Sequence, residues 1–329
     1  MKVKINEAKK ISLQALVKNG FDKEVAKYCV ENIVAGELTG KKTHGLIRVL
    51  HQVNRKNDGR ISTSPKDFKV TKKTSKHLYI NANRLPGFYS IYKSLEIAIP
   101  LAKKSKLFFV GIKNTDITGY IADYARIATE ENLIFLAFNN SPGGLVPHGV
   151  KSASPWGTDP ITFGIPTNNT PVIFDTASTM ITWGDLMIAR KQNNKISKGV
   201  AVDVNGSITT DPHKVVGLLP FSDHKGSGFA MMVEILAGVL TGSGVGEKIK
   251  GGWGSSYLLI DPTLFRPLKD FKSDMGTMIR ELKSLPKAKD VQKIYYPGER
   301  SASLRLKNMK RGWIEVDDKV WGEIVELSK

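Results

Sequence analysis

The chain has 329 residues, 41% of them hydrophobic and only one a cysteine, so it can bury a full core but cannot rest on a disulfide framework or a cysteine-based metal cluster. Its net charge of +18 is dispersed: Lys103, Lys104 and Lys106, or Lys307, Lys310 and Arg311, read as solvated helix faces, and no zinc-finger spacing, stacking motif or basic tail suggests nucleic acid, leaving a general pull on anionic small molecules. No apolar run of about 18 to 20 residues exists and no apolar segment follows the lysines of residues 1–10, so a cytoplasmic protein with no membrane span is expected.

In chain order, Ile5, Ala8, Ile11 and Ala15 recur at helical spacing, and Asp22 is placed to cap a second helix carrying Ala26, Cys29, Val30, Ile33 and Val34. Cys29 falls on that apolar pattern and reads as a buried structural thiol. A polar stretch from Ser62 to Lys76 separates this helical part from apolar runs interleaved with helical ones. Strands are expected at Leu107 to Ile112, Leu133 to Phe138, Thr162 to Ile165, Val172 to Phe174 and Tyr257 to Ile260. Helices are expected at Ser90 to Lys104, kinked or interrupted by Pro100, then at Tyr120 to Glu131, Thr179 to Lys191 and Gly226 to Leu240. The glycines at 242, 244, 246, 251, 252 and 254 make Thr241 to Ser256 read as a mobile loop, and Pro286 and Pro297-Gly298 punctuate the return to the C-terminal segment.

The segment from Thr43 to Val53 is the most informative. At about 100° per residue, Leu46, Val49, Leu50 and Val53 fall on one side and His44, Arg48, His51 and Gln52 on the other. That second face joins a titratable imidazole to a guanidinium able to grip a carboxylate. Thr43 as N-cap sets His44 in the first turn, where the helix dipole favours the neutral ring and suits a proton shuttle. A solvent-exposed polar face fits the same pattern.

His224-Lys225-Gly226-Ser227-Gly228 precedes an apolar helix and reads either as a phosphate cradle or as an ordinary glycine turn. The dinucleotide fingerprint G-x-G-x-x-G is absent, since Met231 stands where its third glycine belongs. Asp175-Thr176-Ala177-Ser178, just after an apolar strand, either caps the next helix or faces a cofactor, and Pro297-Gly298-Glu299-Arg300 either closes a turn over a ligand or joins two elements. Spacings such as H-E-x-x-H and G-x-S-x-G are missing, so no metal site is expected and a serine-hydrolase reading has no support.

Together these segments resemble the malate/L-lactate dehydrogenase family, which is unrelated to Rossmann-type lactate dehydrogenase. The resemblance runs nearly end to end and is carried, in order, by Thr43-His44-Gly45 with Arg48, by Gly157-Thr158-Asp159-Pro160, by Asp175-Thr176-Ala177-Ser178, by Thr209-Thr210-Asp211-Pro212, by Leu218-Leu219-Pro220 through His224-Lys225-Gly226, and by Tyr296-Pro297-Gly298-Glu299. It implies a non-Rossmann α/β domain that binds NAD or NADP, here residues 76–285, with a mostly helical second domain built from residues 1–75 and 286–329. It further implies a homodimer and hydride transfer between nicotinamide and a small anionic 2-hydroxy or 2-oxo acid, or a cyclic imino acid. His44 becomes the candidate proton donor and acceptor and Arg48 the candidate carboxylate contact. Val172, Ile173, Phe174, Asp175, Thr176, Ala177, Ser178, His224, Lys225, Gly298, Glu299 and Arg300 become candidate cofactor contacts.

The chain departs from the family pattern at three places. Ile117, in Asn114-Thr115-Asp116-Ile117-Thr118-Gly119, stands where many members carry a second active-site histidine, and isoleucine cannot move a proton. Asp159 replaces a usual asparagine, and Asp185, in Trp183-Gly184-Asp185, replaces a common lysine. The first departure leaves open a catalytically impaired relative that binds dinucleotide, with Asp116 as a possible substitute carboxylate; the other two bear on substrate or dinucleotide preference.

Overall fold

The apolar spacing of the first forty residues produces strand β1 (Lys2–Lys4) and helices α1 (Ile5–Lys18) and α2 (Lys23–Leu38) in the computed structural model, which describes residues 1–244 and 252–329. Asp22 caps α2 as expected, its carboxylate accepting the Glu24 N–H at 2.8 Å. Cys29 is fully buried, and burial pushes its thiol well up, so it packs as a small hydrophobe.

The next helix departs from expectation. Thr43 caps nothing: Lys42–His44 form a single 3-10 turn, and α3 (Ile47–Asn57) starts later with Leu46 at its N-cap. The reason lies in α2. Glu37 is buried and accepts the Leu46 N–H at 2.9 Å, so a carboxylate from a neighbouring helix satisfies the start of α3. Gly45 permits this, because a Cβ there would stand 1.9 Å from the Glu37 carboxylate. Gln52, expected on the polar face, instead turns inward and is buried with neither polar side-chain atom partnered.

The middle of the chain gives β2 (Lys69–Lys73), β3 (His77–Asn81), α4 (Gly87–Ser105), β4 (Leu107–Thr115), α5 (Ile121–Glu130), β5 (Ile134–Asn139), β6 (Ile161–Ile165), β7 (Val172–Thr176) and α6 (Trp183–Gln192). A two-stranded ribbon of β8 (Ala201–Val202) and β9 (Gly217–Leu218) follows, then α7 (His224–Val233), β10 (Trp253–Ile260), α8 (Leu268–Ser284), α9 (Glu299–Arg311), β11 (Trp313–Glu315) and α10 (Asp318–Leu327). Seven strands form one sheet in the order β2-β3-β4-β10-β5-β6-β7. Only β3 and β4 pair in parallel, so the protein is mixed α/β but not doubly wound. The sheet's centre is closed late in the sequence by β10, whose Ser255 to Ile260 lie between β4 and β5. The chain's two ends meet in the antiparallel pair of β1 and β11, with α1 packed on α10 and α2 on α9.

Three further expectations are corrected. Pro100 does not interrupt α4: it lies on the solvent side, where its missing N–H and its ring meet water, while Leu95, Ala98 and Ala102 hold the helix on the sheet. The helix expected from Gly226 begins at His224, and the segment Glu234–Val239 is π-helical. Part of the loop expected from Thr241 to Ser256 is strand. Gly254 lies in β10 because a Cβ there would stand 1.8 Å from the Ala237 carbonyl oxygen, so that glycine marks close packing of strand against π-helix. Gly246 and Gly251 fall outside the described residues. Among the described residues no helix is long and apolar enough to cross a membrane.

Candidate active site

A cavity of about 510 Å³ opens where the turn before α3, the β4–α5 connection, the end of β5, the end of β7 and the start of α6 converge. His44, Arg48, His51, Ile117, Tyr120 and the run Asn139 to Ser141 line it. The start of α6 is pinned against His44's turn at Gly184, whose added Cβ would meet the Thr43 Cβ at 2.8 Å.

A short relay fixes the basic side. The Thr43 hydroxyl lies 3.0 Å from His44 Nδ1, Arg48 Nε donates to the Thr43 carbonyl oxygen at 2.6 Å, and Arg48 Nη1 donates to His51 Nδ1 at 2.9 Å. Thr43 thus serves His44 through its side chain rather than as a helix cap. His44 is pushed down to about 4, first by burial and then by the Arg48 charge, with Asp185 pulling the other way. The neutral ring expected for His44 therefore arises from desolvation and a neighbouring cation, since the residue is not in the first turn of a helix. His51 is likewise pushed down to about 4 by burial, Arg48 and Arg55, and Arg48 itself to about 10 by burial and Arg55.

Asp116 is committed elsewhere. Its two oxygens take the Arg55 guanidinium, Nε donating at 2.8 Å and Nη2 to the second oxygen. Buried behind the Ile117 wall, it serves to neutralise Arg55.

A second cavity of about 350 Å³ shares Lys41, Tyr120 and Asp175 with the first and extends along β7, the sheet's edge strand, towards Gly298 and Arg305. The edge of β7 is partly covered by the Tyr296–Gly298 turn, where Ile173 donates its N–H to the Pro297 carbonyl at 3.1 Å. Gly298 has φ +88°, and a Cβ there would stand 2.9 Å from the Ile173 nitrogen, so only glycine lets this turn approach the strand.

The candidate cofactor residues divide by place. Asp175, Thr176 and Ala177 line the first cavity; Ile173, Phe174, Asp175 and Gly298 line the second. Asp175 accepts from the Thr162 hydroxyl at 2.7 Å, and the surrounding protein raises its carboxyl although it borders both cavities. Val172 is half-buried in β7, and Ser178 is buried with its hydroxyl donating to the Asp159 carbonyl at 2.7 Å. His224 and Lys225 stand exposed in the first turn of α7, lining neither cavity. Glu299 accepts from Lys283 at 2.6 Å and pairs with Lys293 at 3.2 Å, while Arg300 lies over the Tyr295 ring.

The sequence reading missed Lys41, Tyr120 and the Asn139-Asn140-Ser141 run. A signal for the run existed, because three consecutive polar residues closing an apolar strand mark where the chain leaves the buried part of the sheet, and polar groups at such a rim can line a ligand cleft. Lys41 gave none, being one lysine among many.

Comparison with known proteins converges on one family. The sequence model described as malate/L-lactate dehydrogenase matches residues 3–325. A malate/(S)-sulfolactate dehydrogenase of Methanothermus fervidus is 32% identical over 332 residues, covering 98% of this chain and 96% of that protein. A ureidoglycolate dehydrogenase (NAD(+)) of Escherichia coli K12 is 28% identical, covering 93% of this chain and 92% of its own. Among solved structures, the sulfolactate dehydrogenase of Methanocaldococcus jannaschii superposes with a TM-score of 0.89 at 28% identity, over 99% of this chain and 96% of that one. With a family match spanning nearly every residue and a fold shared over the full chain, the protein belongs to the malate/L-lactate dehydrogenase family.

Proposed function

We propose that the chain interconverts a small 2-hydroxy acid, or a cyclic amino acid, with its 2-oxo or imino partner, using NAD or NADP, with His44 moving the proton and Arg48 holding the substrate carboxylate. The family is one of oxidoreductases acting on CH–OH carbons, and the chain is an enzyme of that class. One observation carries the assignment of roles: His44, oriented by Thr43, and Arg48, oriented by the Thr43 carbonyl, border a single cavity of small-ligand size.

The two adjoining cavities suit a dinucleotide. Gly298 brings backbone close to β7 with no side chain in the way, and Lys41 borders both cavities, placed as a cation for the phosphates between them. The nicotinamide, when bound, supplies or takes the hydride. The protein's part is orientation and proton traffic. In oxidation the neutral His44 ring, its Nδ1–H donated to the Thr43 hydroxyl oxygen, accepts the substrate's hydroxyl proton at Nε2. The new imidazolium lies near Arg48, so a substrate carboxylate on that guanidinium is needed to offset the repulsion.

A second reading, a relative that binds dinucleotide without turnover, is favoured by Ile117, which gives the cavity an apolar wall. A thermal-shift titration with NADH and NADPH, followed by a screen of 2-oxo and cyclic imino acids, separates the two. Stabilisation of about 2.7 kcal/mol at a hundredfold excess over Kd with turnover supports the first reading, stabilisation without turnover the second, and no shift defeats both.

The reading includes a homodimer. Phe229, Met231, Met232, Ile235, Val239 and Leu240 are exposed along α7 and its π-helical continuation, and α8 buries none of its residues despite an apolar stripe from Leu268 to Leu282. Uncovered apolar surface on two helices is more than a monomer commonly carries, and light scattering tests it.

A further inference from the structure

The roles given to His44 and Arg48 leave the second histidine of the cleft unused. His51 lies one turn beyond Arg48 on α3, and its ring borders the same cavity as His44, Arg48 and Ile117. Its Nδ1 is engaged by Arg48 Nη1 at 2.9 Å. A guanidinium has only N–H groups to offer, so Nδ1 must present its lone pair, and the ring's single hydrogen sits on Nε2. Protonation would set N–H against N–H, which fixes the ring as a neutral donor while this contact lasts. Among the described residues the ring's one hydrogen bond is at Nδ1, and none engages Nε2. Ile117, which lines the same cavity, offers no donor.

We infer that His51 donates its Nε2–H to the oxygen on the reacting carbon, acting as a second active-site histidine that polarises and holds that oxygen while His44 alone carries the proton. The inference rests on the function proposed above. A 2-oxo acid carries its carbonyl oxygen one carbon from the carboxylate, so an acid held by Arg48 presents that oxygen next to the side chain that Arg48 orients. In reduction, the carbonyl carbon receives hydride from the reduced dinucleotide, the C=O π pair moves onto oxygen, and His44 Nε2 delivers the proton that completes the hydroxyl. His51 keeps its hydrogen throughout, because losing it would leave an imidazolate. A donor already aimed at the oxygen where negative charge develops lowers the barrier without reorganising.

Two substitutions separate donation from mere bracing of Arg48. Asparagine places its amide near the Nδ1 position and keeps a partner for Arg48 but puts nothing at Nε2, whereas glutamine reaches the Nε2 position. His51→Asn is expected to lower kcat/KM for the 2-oxo acid about 100-fold and to weaken binding of oxamate, an inert 2-oxo acid analogue, to the dinucleotide-loaded enzyme. His51→Gln recovers much of both, and NADH or NADPH affinity and the pH profile stay as in the wild type. His51→Asn equal to the wild type, both variants equally impaired, or a pH profile altered by either overturns the inference. If the wild type turns over no 2-oxo acid, the proposed function fails, and oxamate affinity across the same variants still decides whether His51 donates.

Discussion

Asp159 and Glu234 are buried carboxyl groups standing near each other, with neither paired to a cation among the described residues. Asp159 accepts the Ser141 N–H at 3.0 Å, and Glu234 accepts from the Asn140 amide at 3.0 Å, so the pair anchors two residues that line the cavity. The groups facing them are the Ser141 and Gly157 N–H groups and Asn140. Asp159 Oδ2 and Glu234 Oε1 are buried with no hydrogen-bond partner. Burial raises both carboxyls, Asp159 the further because Glu234 stands beside it, and one proton held between them would satisfy both.

The shared proton makes stability depend on pH. The folded protein retains a proton that the unfolded chain releases above a pH of about 4, so the contribution is complete below that value and is lost as pH rises through the raised folded values. Asp159→Asn supplies a permanent N–H to Glu234 and removes that loss. The Tm of the wild type should fall more steeply than that of Asp159→Asn as pH rises above about 4. Parallel curves would show that no proton is shared.

His44 gives a kinetic counterpart. Because kcat/KM reports free-enzyme ionisations and His44 titrates at about 4, oxidation should be flat above about pH 5, while log kcat/KM for reduction should fall with a slope near −1 over the same range. His44→Ala should remove about 100- to 10,000-fold of turnover and leave dinucleotide affinity unchanged. A break near about pH 6.5 in the wild type would mean that the ring is not desolvated as described.

The sequence made the fold more legible than the site. Strands β4, β5, β6 and β7 follow from apolar runs, because burial on a sheet demands such runs. What escaped was long-range: Glu37 capping α3 across nine residues, β10 entering the sheet's centre between β4 and β5, and Gly254 giving way to the Ala237 carbonyl. Helical spacing grouped His44, Arg48 and His51, and all three line one cavity, although His44 reaches it from the 3-10 turn before α3 and not from the helix face. It misplaced Gln52, because periodicity records direction and not whether the neighbouring helix covers it. Asp116 was unreadable for a related reason, since its partner Arg55 lies sixty-one residues away.

Gly298 tests the edge of the second cavity. Alanine there must adopt φ near +88° and place its Cβ 2.9 Å from the Ile173 nitrogen, so the turn has to leave β7. Gly298→Ala should cost about 1 to 3 kcal/mol in stability and weaken dinucleotide binding while leaving oxamate affinity at saturating dinucleotide nearly intact. Calorimetric titration with both ligands distinguishes this from general unfolding, which would lower both affinities together.

Arg55 and Asp116 decide how much positive charge the cleft carries. Arg55 stands near enough to depress both Arg48 and His51, and among the described residues only the buried Asp116 carboxylate pairs with it. Burial raises the Asp116 carboxyl despite the arginine beside it, so the pair is held at a desolvation cost and is not a source of net stability. Asp116→Asn strands the guanidinium without its counter-charge and should destabilise by about 3 to 5 kcal/mol. The same change should also tighten oxamate binding in the surviving folded protein, because an unbalanced cation then sits behind Arg48 and His51. Double replacement by Arg55→Met and Asp116→Leu should restore most of the lost Tm, since removing both charges leaves neither unpaired, and should return oxamate affinity towards the wild-type value. Tighter binding in the single variant combined with recovery in the double identifies Asp116 as the balance for Arg55; loss of oxamate binding in the single variant would instead assign the carboxylate a direct place in the site.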